Sequence, residues 1–205
     1  MTGTQTSNDS RGDCPVSNAR PLIRLSPLES SETVQTTPTV WFYIPYAAED
    51  IEAGTFVLQN AEGYDLAFSK FSLPSGTPGL VGFEIPYELT PQDSYQWYFS
   101  LYCDEDAPPL YVHGWMRAIE PSAQLNRDLA AAGPIQNAVY QENRLWFDSI
   151  DQTLSRYLEG SDSPSLSTAW GQFLAADAIN LDKYFQDLPL GSLSIEKIVF
   201  DNMIE

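Results

Sequence analysis

The sequence predicts an α+β protein, with an N-terminal immunoglobulin- or fibronectin-like antiparallel β-sandwich followed by a C-terminal helical region. Two patterns carry this prediction. Residues 94–103 alternate with a period of two and are rich in aromatic side chains, which is typical of a core strand. Beyond Pro121 the apolar residues recur at three- and four-residue steps, which indicates amphipathic helices.

The length of 205 residues exceeds what one sandwich of about 100 residues needs, so we expect additional structure beside it. We divide the chain into a flexible leader at residues 1–19, a sandwich at residues 20–120, a helical region at residues 121–180 packed on the sandwich, and a tail at residues 181–205.

Seven strand-like segments are separated by turns rich in Pro, Gly and acidic residues, at spacings typical of such a sandwich. Segment 40–46 is apolar on both faces, so we expect it to be buried from both sides or covered by another element. Gly63 suits the short turn of a hairpin. The segments are residues 21–25, 40–46, 55–60, 64–73, 80–86, 94–103 and 110–119.

The aromatic strand at residues 94–103 presents two different faces. Its core face is predicted to carry Tyr95, Trp97, Phe99, Leu101 and Cys103, and its second face Tyr98 and Tyr102. Tyr95 follows a turn-like segment, so we expect its hydroxyl to bond back to the upstream backbone at the corner between two sheets.

Helix signals follow one another after the predicted sandwich. Gly133 and Pro134 should end a first helix, Gly160 a second one, and Ser163 with Pro164 should open a third. Residues 193–200 fit either a strand or a helix.

One series of residues looks like half of a tetratricopeptide-type helical hairpin, with Asn143 where that repeat usually has Gly. A single unit cannot bury its own faces, so we expect the helices to pack on the sandwich or on a partner. The residues that carry the likeness are Tyr140, Asn143, Trp146, Phe147 and Ile150.

The net charge of −18 argues against nucleic acid and against anionic membranes, which attract clustered Lys and Arg. It leaves solubility, a basic partner or divalent cations as explanations. No apolar run approaches the roughly 20 residues of a membrane-spanning helix, so we expect no membrane insertion.

The two cysteines, Cys14 and Cys103, connect the fold to the compartment. A disulfide between them would close a long loop, which the chain-entropy model values at about 4 to 5 kcal/mol. That bond would indicate a periplasmic or secreted protein, whereas two buried free thiols would fit the cytoplasm. The opening residues show no signal-peptide pattern and look like the start of a mature chain.

Side chains for catalysis or metal binding are scarce. The only histidine, His113, lies in a predicted strand without a nucleophile signal, and we expect it to be a packed or surface residue. The acidic segments 49–52 and 104–106 lack the pattern of a calcium loop, so solvated loops are favoured over weak calcium sites. We therefore predict no enzyme activity, no cofactor and no metal site.

The aromatic residues exceed what one sandwich core requires. The surplus could form an interaction surface or the seat of the helices. The candidates are Phe42, Tyr46, Tyr98 and Tyr102.

Several blocks of the sequence together resemble the cyanobacterial family called domain of unknown function 928, over about residues 11–176. The members of that family are uncharacterised exported proteins, often encoded near secretion or large repeat proteins. The resemblance therefore implies export, and it brings no catalytic residues. The chain departs from the family in its missing export signal and in Asn143. The blocks are residues 11–14, 41–46, 71–79, 95–104, 114–115 and 145–148.

Our functional prediction is a non-enzymatic, exported protein-interaction module linked to secretion or envelope assemblies. The alternative is a carbohydrate-binding module that uses exposed aromatic residues, and an enzyme that uses carboxylates comes third.

Overall fold

The structure is a computed structural model that describes residue 14, residues 20–104, residue 106, and residues 108–133, 136–160 and 164–198. Most of the predicted leader, together with Pro134 and Ser163, lies outside the described residues. The strands are β1 (Ile23–Arg24), β2 (Ser31–Thr33), β3 (Thr39–Ile44), β4 (Ala53–Asn60), β5 (Asp65–Phe71), β6 (Gly79–Glu84), β7 (Ser94–Tyr102), β8 (Leu110–Ala118) and β9 (Ser194–Ile198). The α-helices are α1 (Ala123–Ala132), α2 (Asn137–Glu142), α3 (Trp146–Leu158), α4 (Pro164–Ala175) and α5 (Asp182–Phe185).

The strands form two sheets in a mixed α+β fold. A four-stranded sheet has the order β1-β3-β6-β9, and a five-stranded sheet has the order β2-β8-β7-β4-β5. The expectation of purely antiparallel sheets was wrong, because β2 runs parallel to β8 and β9 runs parallel to β6. These two strands are joined to their neighbours by long chain segments rather than by hairpins, so the antiparallel direction is not imposed on them.

One apolar core fills the space between the two sheets. Phe42 stacks on Phe99 with ring centroids 3.9 Å apart, and Phe56 stacks on Phe83 at 4.3 Å. Each pair joins one sheet to the other. The predicted alternation of the aromatic strand is confirmed, because buried and half-buried residues alternate along the whole of β7.

The predicted corner at Tyr95 is also confirmed. The backbone N–H of Thr90 donates a hydrogen bond to the Tyr95 hydroxyl oxygen at 2.8 Å. Tyr95 is only 2% exposed, so this bond satisfies a hydroxyl that would otherwise be buried without a partner. It fixes the turn that leads into β7.

A second core lies on the other side of the four-stranded sheet, under the helices. Trp41 and Tyr43 project into it from β3, and Ile150, Trp170 and Phe173 project into it from α3 and α4. All six residues of β3 are buried, which confirms that the segment predicted to be apolar on both faces is covered on both sides.

Asp151 on α3 connects this helical layer to the sheet. Its Oδ1 accepts a hydrogen bond from Trp41 Nε1 at 2.9 Å and lies 3.7 Å from Lys197 Nζ on β9. Lys197 also lies 3.6 Å from Glu84 on β6. The segment that fitted either a strand or a helix therefore contains a strand, at Ser194–Ile198, that extends the sheet beside α3.

The helix-ending signals differ in how well they locate the turns. Gly133 follows α1 with a φ of 66°, the left-handed conformation that glycine adopts at low cost. Between α2 and α3 the left-handed residue is Arg144, with a φ of 59°, and not Asn143 at −90°. Asn143 instead donates a side-chain hydrogen bond to the Val139 carbonyl at 2.8 Å.

Asp148 fastens α3 to β2 and is 3% exposed. Its Oδ1 accepts hydrogen bonds from the Thr33 hydroxyl at 3.3 Å and from the Val34 N–H at 3.2 Å, whereas its Oδ2 has no hydrogen-bond partner. Burial raises the pKa of Asp148 from 3.8 to about 7, although the two hydrogen bonds act in the opposite direction. In the folded protein the protonated form of this carboxyl is therefore favoured below about pH 7.

We predict that Asp148→Asn removes a pH dependence from the stability of the protein. The pKa of Asp148 is higher in the folded state than in the unfolded state, so the folded state loses stability as the pH rises. Asp148 should lower the wild-type free energy of unfolding by up to about 1.4 kcal/mol per pH unit between about pH 4 and pH 7. Above about pH 7 its contribution should level off. Urea unfolding at pH 5, 6, 7 and 8 measures the slope, with Asp182→Asn as an exposed control. An equal slope in wild type and Asp148→Asn would contradict the prediction.

Candidate functional site

The outer face of the five-stranded sheet carries six aromatic residues. Strand register places Phe68 opposite Val57, Val57 opposite Tyr98, and Tyr98 opposite His113, so one row crosses four strands. We call the aromatic set the outer aromatic face, and its members are Phe68, Tyr98, Tyr102, Tyr111, His113 and Trp115.

The members of this face are open to solvent to different degrees. Phe68 is 65% exposed and Tyr111 is 45% exposed, and the other four members are half-buried. Their strand neighbours on the inner side, among them Phe56, Phe99 and Val112, are fully buried. The alternation of β4, β7 and β8 therefore separates a packed core from a solvent-facing aromatic surface.

The rings at the centre of the face pack against one another. Tyr98 stacks on His113 with centroids 5.4 Å apart and an angle of 21° between the ring planes. Tyr111 lies 6.3 Å from His113 and is tilted by 30°. Ring packing of this kind limits the rotation of the Tyr98, Tyr111 and His113 side chains.

The centre of the face is uncharged at neutral pH. Burial lowers the pKa of His113 below its usual value, and the positive charge of Arg24 lowers it further, so the imidazole is neutral at pH 7. Gln96 Nε2 lies 3.5 Å from His113 Nδ1 and contributes a polar but neutral group.

Charged residues lie at the edges of the face. Arg117 pairs with Glu32 at 3.5 Å at one edge, and Gln59 donates to Asp65 at 2.8 Å at the other. A chain with a net charge of −18 thus keeps acidic groups away from the centre of this surface.

The four predicted interaction residues divide into two pairs. Tyr98 and Tyr102 lie on the outer aromatic face, as half-buried residues of β7. Phe42 and Tyr46 were wrongly predicted to belong to the same kind of surface, because they are 0% and 4% exposed and lie in the core between the sheets. The face of β3 that contacts the helices carries Trp41 and Tyr43 instead.

The two cysteines are joined. A disulfide links Cys14 to Cys103, with the Cα atoms 5.5 Å apart and a separation of 89 residues along the chain. Cys14 belongs to the core between the sheets, and Cys103 packs against that core. The bond therefore holds Cys14 beside the end of β7.

Four members of the face, Phe68, Tyr111, His113 and Trp115, were not predicted as site residues. A signal for three of them was present, since Tyr111, His113 and Trp115 alternate with apolar residues in a predicted strand. What the sequence lacked was the register that brings Phe68 into the same row as His113.

A groove of about 900 Å³ lies elsewhere, between the segment that leads into β2 and the start of α3. Its lining mixes charges of both signs with apolar groups, including Leu28, Glu29, Arg144, Trp146 and Asp177. Within the described residues, no group of three or more His, Cys, Asp or Glu side chains could hold a metal ion, and no helix is long and apolar enough to cross a membrane.

A family model described as Domain of Unknown Function (DUF928) matches residues 6–188, which is most of the chain. No curated protein matches the sequence.

Proposed function

The chain belongs to the family described as Domain of Unknown Function (DUF928), and because that description assigns no activity, we propose from the chain's own features that it is a non-enzymatic, exported module that binds another protein. The outer aromatic face is the proposed binding surface. We further propose that the two sheets form an immunoglobulin- or fibronectin-like sandwich, and that α2 and α3 form a tetratricopeptide-like hairpin.

The observation that carries the proposal is an aromatic surface with an uncharged centre on a strongly acidic protein. The centres of protein interfaces are rich in Tyr, Trp and Phe and poor in charged side chains, and charged groups lie at the rim. Tyr98, Tyr111 and Trp115 are residue types that dominate binding energy when a partner covers them. Phe68 adds an aromatic ring that is 65% exposed in the chain by itself.

The charge of the protein narrows the kind of partner. A net charge of −18 repels acidic proteins at long range and speeds the approach of basic ones. The partner should therefore carry a basic surface with apolar groups at its centre. Export in association with secretion or envelope assemblies is compatible with such a partner.

The alternative ligand class is carbohydrate, and the ring geometry favours protein over it. A sugar ring stacks on an aromatic ring whose flat side faces solvent, whereas Tyr98 places a flat side against His113 at 5.4 Å. Phe68 and Tyr111 remain open enough for sugar stacking, so a glycan array separates the two ligand classes.

The proposed location is an oxidising compartment, either the periplasm or the exterior of the cell. The Cys14–Cys103 disulfide supports it, because such bonds persist outside the reducing cytoplasm.

We predict that intact mass measured on the native protein under alkylating conditions shows no free thiol, and that reduction adds two hydrogen atoms and two alkylation sites. The reason is that the Cys14–Cys103 disulfide forms in the oxidising compartment in which we propose that the protein resides. Two alkylated cysteines in the native protein before any reductant would remove the case for export.

We also predict that the double variant Phe68→Ser with Tyr111→Ser loses its protein partner. Each residue is exposed, so the fold should survive the change, and loss of a central binding contact costs 2 kcal/mol or more, which is about 30-fold in affinity. The measurement is quantitative capture from the source organism's envelope fraction, by wild type and variant side by side.

Leu158→Ser is the matched control, because Leu158 is 43% exposed but lies on α3 and not on the outer aromatic face. It should capture the same protein as wild type within about twofold. Equal capture by all three proteins would contradict the placement of the surface. Glycan binding by wild type that the double variant lacks would support the carbohydrate alternative instead.

A further inference from the structure

Arg24 is a buried arginine between the two sheets. It lies on β1, it is 0% exposed, and its guanidinium carbon is 5.7 Å from the centre of the Trp97 ring. Its Nη1 lies 3.3 Å from the Ser26 hydroxyl oxygen. Contact with an aromatic ring stabilises the flat side of a guanidinium but leaves the N–H groups at its edge to find acceptors elsewhere.

Two of the three guanidinium nitrogen atoms do not find acceptors in the described part of the chain. Arg24 Nε and Arg24 Nη2 have no hydrogen-bond partner, and neither has the neighbouring Trp97 Nε1. No carboxylate of the described residues forms an ion pair with Arg24. Buried charges in proteins are normally paired, because an unpaired one loses its hydration without compensation.

The guanidinium of Arg24 and the ring of Trp97 meet beside Gly114. A Cβ atom at Gly114 would lie 2.3 Å from Arg24 Nη1 and 2.8 Å from Trp97 Cε2, the carbon bonded to Nε1. The lack of a side chain at this position of β8 is what allows the guanidinium and the indole to meet. The three nitrogen atoms without a partner, Arg24 Nε, Arg24 Nη2 and Trp97 Nε1, are all buried, and all of them are donors.

The charge of Arg24 also affects His113 in the five-stranded sheet. Burial lowers the pKa of Arg24 to about 10, which still leaves the guanidinium positive at neutral pH. The same charge contributes to the lowered pKa of His113, the residue before Gly114. A positive charge disfavours the protonated form of a neighbouring imidazole and so has this effect.

We propose that a monatomic anion of the halide class binds between β1, β7 and β8, where it accepts hydrogen bonds from Arg24 Nε, Arg24 Nη2 and Trp97 Nε1. A halide brings a negative charge and no hydrogen atoms, so it satisfies a set made only of donors. A water molecule would bring two further donors and no charge. An organic anion would have to enter between closely packed core side chains.

The direct test is a crystal structure of the full chain grown in sodium bromide, with data collected at the bromine absorption edge. The expected result is an anomalous peak within hydrogen-bond distance of Arg24 and Trp97 Nε1. A site with no anomalous peak, or one that holds only water, would overturn the proposal.

A solution test compares thermal unfolding in sodium bromide and in sodium gluconate at equal ionic strength. Wild type should unfold several degrees higher in bromide, because an ion that binds the folded state stabilises it. Arg24→Met should lose this difference, and Trp97→Phe, which keeps a ring but removes the N–H, should reduce it. Arg127→Met is the control, since it removes an exposed arginine on α1. The proposal would be overturned if bromide raised the unfolding temperature equally in Arg24→Met and wild type, or did not raise it in wild type. If Arg24→Met fails to fold, Trp97→Phe replaces it, and a bromide effect as large as that of wild type would then overturn the proposal.

Discussion

Burial of strand β3 on both faces is the constraint on which the rest of the structure depends. Phe42 and Ile44 project into the core between the two sheets, and Trp41 and Tyr43 project into the core under the helices. One six-residue strand therefore belongs to two hydrophobic cores at once. The hydrogen bond from Trp41 Nε1 to Asp151 adds direction to this packing, because it fixes where α3 lies along the strand.

The same constraint decides which sheet face remains open. The helices cover the four-stranded sheet, and the core between the sheets covers the inner face of the five-stranded one. Within the described residues, the outer face of the five-stranded sheet has no layer above it, yet it carries Phe68, Tyr98, Tyr111 and Trp115. Phe68 and Tyr111 are exposed and gain little from burial in the chain alone, which is why we propose this face as a binding surface.

The features that the sequence predicts well are those that depend on local pattern. Alternation marked β7, the position of Tyr95 indicated its hydrogen-bonded corner, and Gly133 located the end of α1. Each of these signals arises within about ten residues of chain. The physical reason is that strand alternation and helix ends are set by backbone geometry that a short segment determines by itself.

The features that the sequence does not predict depend on which segments of the chain contact one another in the fold. Both faces of residues 40–46 are apolar, so no alternation distinguishes Phe42 from Trp41, and Phe42 was not recognised as part of the core between the sheets. The row from Phe68 to His113 requires the register of four strands, and the raised pKa of Asp148 requires the contact of α3 with β2. Strands as short as β2 and β9 offer too few residues for a pattern, and long-range parallel pairing determines them.

The most direct test of the account is site-specific photo-crosslinking in the envelope fraction, with a benzophenone side chain at position 111 or at position 158. These two positions are nearly equally exposed, at 45% and 43%, but only the first lies on the outer aromatic face. The account predicts one crosslinked protein from position 111 that excess unlabelled wild type displaces, and none from position 158. Displaceable crosslinking from position 158 and not from position 111 would contradict it.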